Sequence, residues 1–300
     1  YFIELIKEIH GFTVHTSDRF EKQGAFAIFG VFLDESDNPT KYAYRYCIPF
    51  MWLKKEDNSR EMENDKNIAC KASNLGLSPI IHQVIKAEFQ GESQVSICNF
   101  YLTEHYENDM AYFFLSGDEY YKSLVPEVEN QLLDLITRMG QNELFCIDLK
   151  PNNSVFRFND PQEIEVKLID WDMEFCNSPS RGFSHTNILV MLILYSLYAD
   201  AHRIMRPECI LDRPLFKDYL NSALKQEGAL ESVLNILTVR AGTGGLGALD
   251  MALYYRDHYR RRKTPKSALV QKANIAMLIQ KTFMEETIPD TLFGKKVKRK

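Results

Sequence analysis

The chain has 300 residues, 45% hydrophobic and 26% charged, which is ample for a large buried core and excludes a disordered protein as the main reading. Its net charge of -5 argues against a nucleic-acid-binding domain, because neutralising a phosphate backbone calls for a positive face. The six cysteines are scattered without a C-x-x-C pair, so neither a zinc ribbon nor a compact disulfide framework is expected, and a reducing, cytoplasmic setting is the simpler expectation.

Residues 24–33 (GAFAIFGVFL) and 42–50 (YAYRYCIPF) are rich in aromatic and branched side chains and flank the polar stretch 34–41 (DESDNPTK), which predicts a β-hairpin. Residues 62–77 place Ile68, Ala69, Ala72 and Leu75 at helical spacing before Gly76 and Pro79 end the element. Two further strands are predicted over 80–89 and 93–102.

From Glu104 onward the pattern turns mainly helical. Val128, Leu132, Leu135 and Ile136 share one side of a helix predicted over 125–139 and stopped by Gly140. Short strands are predicted over 154–158 and 164–168, joined by the turn chemistry of Asn159, Asp160 and Pro161. The apolar residues 188–199 are fewer than the roughly 20 that span a bilayer and read as a buried core helix. The chain therefore divides near Thr103 into a β-rich part with one helix (1–103) and a helical part (104–300), an α+β organisation.

Chemistry concentrates in residues 144–155 (LFCIDLKPNNSV) and 166–176 (VKLIDWDMEFC). Together they supply a carboxylate that can orient a hydroxyl, an ammonium, and an amide and a second carboxylate that suit a hard cation. Phosphoryl transfer needs this set, because it proceeds by positioning and by offsetting negative charge. The first segment resembles the catalytic loop H-R-D-L-K-P-x-N of the protein-kinase superfamily, and Asp170-Trp171-Asp172 stands where that family has D-F-G. The resemblance implies a two-lobed kinase-like fold, ATP and Mg²⁺ as cofactors, Asp148 as the catalytic Asp, Lys150 as the phosphate-contacting Lys, and Asn153 and Asp170 as metal ligands.

The smaller lobe departs further from the family. Tyr42-Ala43-Tyr44-Arg45 aligns with V-A-I-K, which puts Arg45 at the phosphate-bridging Lys, with Lys41 as a fallback. Residues 64–79 resemble helices of divergent kinases from large DNA viruses and align Asp65 with their Glu, with Glu61 and Glu63 as alternatives. The phosphate-covering loop falls on residues 23–29, with Gly24 present, Phe26 at its tip and Ala27 in place of the last glycine. The backbone of Glu104 and Tyr106, after a predicted strand, is the candidate adenine hinge.

Ile147 replaces the Arg of H-R-D, so regulation by a phosphorylated activation loop is not expected. The short segment after Asp170 lacks A-P-E, which keeps small-molecule kinases of the aminoglycoside or choline type in view. Lys150 favours the hydroxyl of a Ser or Thr in a protein substrate, and a pseudokinase that binds a partner is the non-enzyme alternative. The basic C-terminal residues Lys295, Lys296, Lys298, Arg299 and Lys300 are read as solvated tail, with an anionic partner as the other option. Gly242, Gly244 and Gly247 form G-x-G-x-x-G after the strand-like residues 233–239, but no second strand follows, and a helix connection is the simpler reading. No two histidines stand four apart, so a metalloprotease site has no support.

Overall fold

A computed structural model describes residues 2–11, 13–23, 27–47, 59–90, 95–160, 163–171, 184–242 and 268–284. It is a mixed α+β structure in two units, Tyr1–Glu107 with Lys167–Met173, and Asn108–Val166 with Glu174–Lys300.

The first unit is built on a five-stranded sheet. Helix α1 (Phe2–His10) precedes strands β1 (Lys22–Gln23), β2 (Ala27–Leu33) and β3 (Pro39–Cys47); helix α2 (Ser59–Asn74) follows, then β4 (Ile81–Gln90) and β5 (Val95–Glu104). The strand order is β1-β2-β3-β5-β4, and every neighbouring pair is antiparallel. The turn from β2 to β3 is tighter than predicted. Asp34 Oδ1 accepts from the backbone N–H groups of Ser36 and Asn38, which leaves Pro39, Thr40 and Lys41 to the strand.

Alternation along the strands gives the sheet two covered faces. Tyr42, Tyr44, Phe32 and Leu102 form a cluster with Ile6 of α1, whereas Ile97 and Cys98 of β5 pack with Met62 of α2. Helix α2 closes at Gly76, whose φ of 67° suits a residue without Cβ, and Leu77 N–H returns to Ala72 O at 2.9 Å.

In the second unit a short sheet of β6 (Asn108–Asp109), β7 (Ser154–Asp160) and β8 (Glu163–Leu168, whose last two residues count with the first unit) accompanies helices α3 (Met110–Leu115), α4 (Glu119–Gln141), α5 (Ser184–Met205), α6 (Lys217–Leu224), α7 (Ala229–Gly242) and α8 (Ala268–Phe283). Helix α4 starts earlier than predicted because Asp118 caps it, accepting from Tyr120 N–H at 2.8 Å. Its buried face is the predicted stripe of Val128, Leu132, Leu135 and Ile136.

Helix α5 exceeds its predicted length, and His185–Met205 is long and apolar enough to cross a bilayer. Yet 72% of that apolar stretch is buried within the protein. Two of its polar side chains are engaged within the protein: Ser196 Oγ donates to Leu215 O at 2.7 Å, and Asp200 pairs with Arg203 at 2.9 Å. It is the core helix of this unit and packs on α4, α6 and α7.

The strand-like reading of residues 233–239 is corrected. They lie in α7, where Val233, Leu234 and Leu237 are buried at helical spacing, so the branched residues reflect core packing rather than a pleat. Gly242 ends that helix, and Gly244 and Gly247 lie outside the described residues.

Candidate functional site

The predicted residues fall into two groups, one in each unit. In the first unit the β3 register sets Arg45 opposite Phe29 of β2 and opposite Tyr101 of β5. Side chains directly opposite across a ladder share a face, so both rings flank the guanidinium, at 5.8 Å from the Phe29 centroid and 5.5 Å from Tyr101.

The same guanidinium meets two carboxylates. Arg45 Nη1 lies 3.5 Å from Asp65 Oδ1, and Arg45 Nη2 lies 3.5 Å from Asp170 Oδ1. Asp65 sits on the α2 face that carries Met62, Ala69 and Ala72, and its side chain is only 2% exposed. Burying a carboxylate so deeply requires charge compensation and hydrogen bonds. Arg45 gives the charge, and Tyr101 Oη–H and Asn99 Nδ2 both donate to Asp65 Oδ2. Asn99 Nδ2 also donates to Met62 O at 2.6 Å, which fastens the α2 backbone to β5.

Asp170 differs in character. Its side chain is 30% exposed, and its φ of 65° is a left-handed conformation that Asp tolerates better than most residues. The segment leading to it is docked on the turn after α2, where Leu168 N–H donates to Leu77 O at 2.9 Å and Lys167 Nζ donates to Gly76 O at 2.9 Å. Two carboxylates thus share one guanidinium, the deeply buried Asp65 and the partly exposed Asp170.

Of the alternatives for the acidic partner, Glu63 is exposed and pairs with Lys66, and the Glu61 side chain lies outside the described residues. Lys41 is exposed and lies over the Tyr42 ring, 5.4 Å from its centroid. Arg45 and Asp65 are therefore the pair that the structure brings together. Gly24, Phe26 and Asp172 lie outside the described residues. At the predicted hinge, Glu104 N–H is engaged by Ile80 O at 3.0 Å, and Tyr106 is buried.

In the second unit the predicted loop leaves α4 through Asn142 and Glu143, the latter at φ 56°, and buries Leu144, Phe145, Cys146 and Ile147. Alternation then buries Leu149 and leaves Asp148 and Lys150 partly exposed. Lys150 Nζ reaches Asp148 Oδ2 at 2.6 Å. Asn153, buried at the end of a short 3-10 turn (Pro151–Asn153), donates Nδ2 to Asp148 Oδ2 at 3.1 Å and to Asp148 O at 3.0 Å. Both side-chain contacts fall on one carboxylate oxygen. That arrangement fixes the carboxylate and commits the Asn153 nitrogen, so Asn153 Oδ1 is the atom of that side chain chemically suited to a hard cation. Tyr198 of α5 is an electrostatic neighbour of Lys150 and Asp148, and burial pushes its hydroxyl pKa up.

Among the described residues no three His, Cys, Asp or Glu side chains converge as a metal cluster. A dedicated protein cage for a metal is therefore not formed by them. Mg²⁺ does not need one, since it commonly takes one or two protein oxygens and completes its shell with phosphate and water. Each unit offers one hard oxygen of that kind, Asp170 in the first and Asn153 in the second.

Sequence reasoning missed Asn99 and Tyr101. The available signal was a polar Asn and a Tyr two residues apart, on the same side of a strand otherwise apolar there. No model of a known protein family matches the chain, and no curated protein matches it.

Proposed function

We propose that the chain is an ATP-dependent phosphotransferase with a divergent, protein-kinase-like two-lobed fold, moving the γ-phosphoryl group of Mg-ATP to a Ser or Thr hydroxyl of a protein. The observation that carries this reading is the Arg45–Asp65 ion pair with Asp170 on the same guanidinium. The resemblance assigned these residues from three separate stretches of sequence, and a chance likeness gives no reason for them to meet. The departures also compensate: Arg is longer than the family's Lys, and Asp is shorter than its Glu. An antiparallel five-stranded sheet with one helix between its third and fourth strands in chain order supports the same fold.

On this reading Asp148 accepts a hydrogen bond from the attacking hydroxyl and aims its oxygen at the γ-phosphorus. Asn153 and Lys150 hold that carboxylate, and Lys150 offsets the charge that develops on the transferred group. Arg45 is held between Phe29, Tyr101 and two carboxylates, and its fixed cation steadies the nucleotide phosphates. Asp170 and Asn153 are the residues that would hold Mg²⁺, which when bound neutralises phosphate oxygens.

A second reading, a pseudokinase scaffold without turnover, is favoured by one observation: the Arg45 charge is already met by Asp65 and Asp170, so the cluster is complete as architecture. Asp148→Asn separates the two. The enzyme loses transfer by about a thousandfold, while a melting-temperature shift with Mg-ATP persists; a scaffold keeps its partner binding and has no transfer to lose.

A further inference from the structure

Helix α5 touches the Asp148 loop at both ends. Near the start, Cys146 N–H donates to Met191 Sδ at 3.4 Å. At the exit, Tyr195 Oη and Ser154 Oγ are 2.7 Å apart, and both residues are fully buried. Met191 and Tyr195 are four residues apart, so they stand one turn apart on a single helix face.

The direction of the second contact follows from proton counting. Ser154 Oγ donates its one hydrogen to Pro151 O at 3.1 Å, so it must accept from Tyr195. Pro151 O also receives Ser154 N–H. A relay therefore runs from the Tyr195 hydroxyl through Ser154 to the first carbonyl of the 3-10 turn whose last residue is Asn153. The stretch of α5 before Tyr195 is otherwise apolar, with Ile188, Leu189, Val190, Met191, Leu192, Ile193 and Leu194 all buried. A hydroxyl in such surroundings would go unsatisfied without Ser154, so this contact fixes the loop rather than decorating it.

We propose that Tyr195 is a positioning residue that acts through Ser154 to hold the Pro151–Asn153 turn, and with it Asn153 Oδ1, in the orientation that takes a divalent cation. The inference rests on the phosphotransferase reading. Tyr195 and Ser154 touch neither substrate nor cation; they set the angle at which Asn153 presents its oxygen.

The test compares the parent chain with Tyr195→Phe, Ser154→Ala and the double variant. Two readouts are taken: Mg²⁺-dependent phosphate transfer from ATP, and melting temperature titrated with Mg²⁺ at fixed concentration of a non-hydrolysable ATP analogue. Each single variant is expected to raise the Mg²⁺ concentration for half-maximal effect about fivefold in both readouts, with transfer at saturating Mg²⁺ within about twofold of the parent. The double variant should be no worse than either single one, because both interrupt one relay. If Tyr195→Phe fails to fold, Ser154→Ala, which removes a single oxygen at the loop end, carries the same comparison. Unchanged Mg²⁺ dependence in a folded variant of an active parent overturns the relay and leaves the phosphotransferase reading standing. A parent with neither transfer nor a Mg²⁺-dependent shift overturns that reading and the relay with it.

Discussion

Arg45 on β3 and Asp65 on α2 form an ion pair at 3.5 Å in which the acid is almost wholly buried, and Asp65 is held from its other oxygen by Tyr101 and Asn99 of β5. Such a pair stabilises the helix against the sheet only while both partners are present, since an orphaned buried charge keeps its full desolvation cost. Asp65→Ala is therefore expected to cost about 3 kcal/mol in urea unfolding. The double substitution Arg45→Met with Asp65→Leu removes both charges and should recover most of that loss while abolishing phosphate transfer. Recovery of stability together with activity would show that the pair is architectural alone.

The hydroxyl of Tyr101 serves the same carboxylate, and Tyr101→Phe keeps the ring over Arg45 while deleting the donor. We expect a loss of about 1 to 2 kcal/mol, less than for Asp65→Ala, because Asn99 still donates to Asp65. In a double-mutant cycle with Asp65→Asn the two effects should be strongly non-additive. Simple additivity would mean that the hydrogen bond contributes nothing.

Gly30 on β2 lies opposite Tyr44 on β3, and a Cβ there would stand 2.2 Å from the Tyr44 ring. Tyr44 cannot move away freely, because its ring packs in the α1 cluster and its hydroxyl donates to Glu21. Gly30→Ala should destabilise by about 1 to 3 kcal/mol through overpacking. Tyr44→Leu in the same chain should relieve most of that loss, and calorimetric melting of the three variants checks it.

His202 supplies a pH signature. Burial, and then the nearby Arg206, lower its pKa below the ordinary 6.5, against a weaker opposing pull from Asp109. The folded chain therefore binds this proton less readily than the unfolded chain. Stability from this group is fully present above the unfolded value and is lost as pH falls from there through the folded value. Urea midpoints measured from pH 7.5 downward should fall with a slope that His202→Gln reduces. An unchanged slope would mean that other groups set the acid dependence.

Much of the fold was legible because its long elements carry clean periods. The stripe of Val128, Leu132, Leu135 and Ile136 on α4 and the alternating strands of the first sheet are examples. Element ends were less legible, since they depend on single caps such as Asp118 and Asp34, which can extend or shorten an element by a turn. Residues 233–239 were misleading because a short apolar run with branched side chains suits a buried helix as well as a strand. Asp148, Lys150, Asn153 and Asp170 were read from the resemblance of two short segments to protein-kinase motifs. The Asn99, Tyr101 and Tyr195 contacts were not, because each reaches a partner more than thirty positions away, a distance at which spacing carries no information.

The most direct measurement is Mg²⁺-dependent transfer of labelled phosphate from ATP, onto the chain itself and onto a mixed protein extract, with Asp148→Asn and Asp170→Asn as controls. The account predicts transfer by the parent that falls about a thousandfold in Asp148→Asn and is lost in Asp170→Asn. Transfer that persists undiminished in both variants, or a folded parent with no transfer and no melting-temperature shift with Mg-ATP, would contradict it.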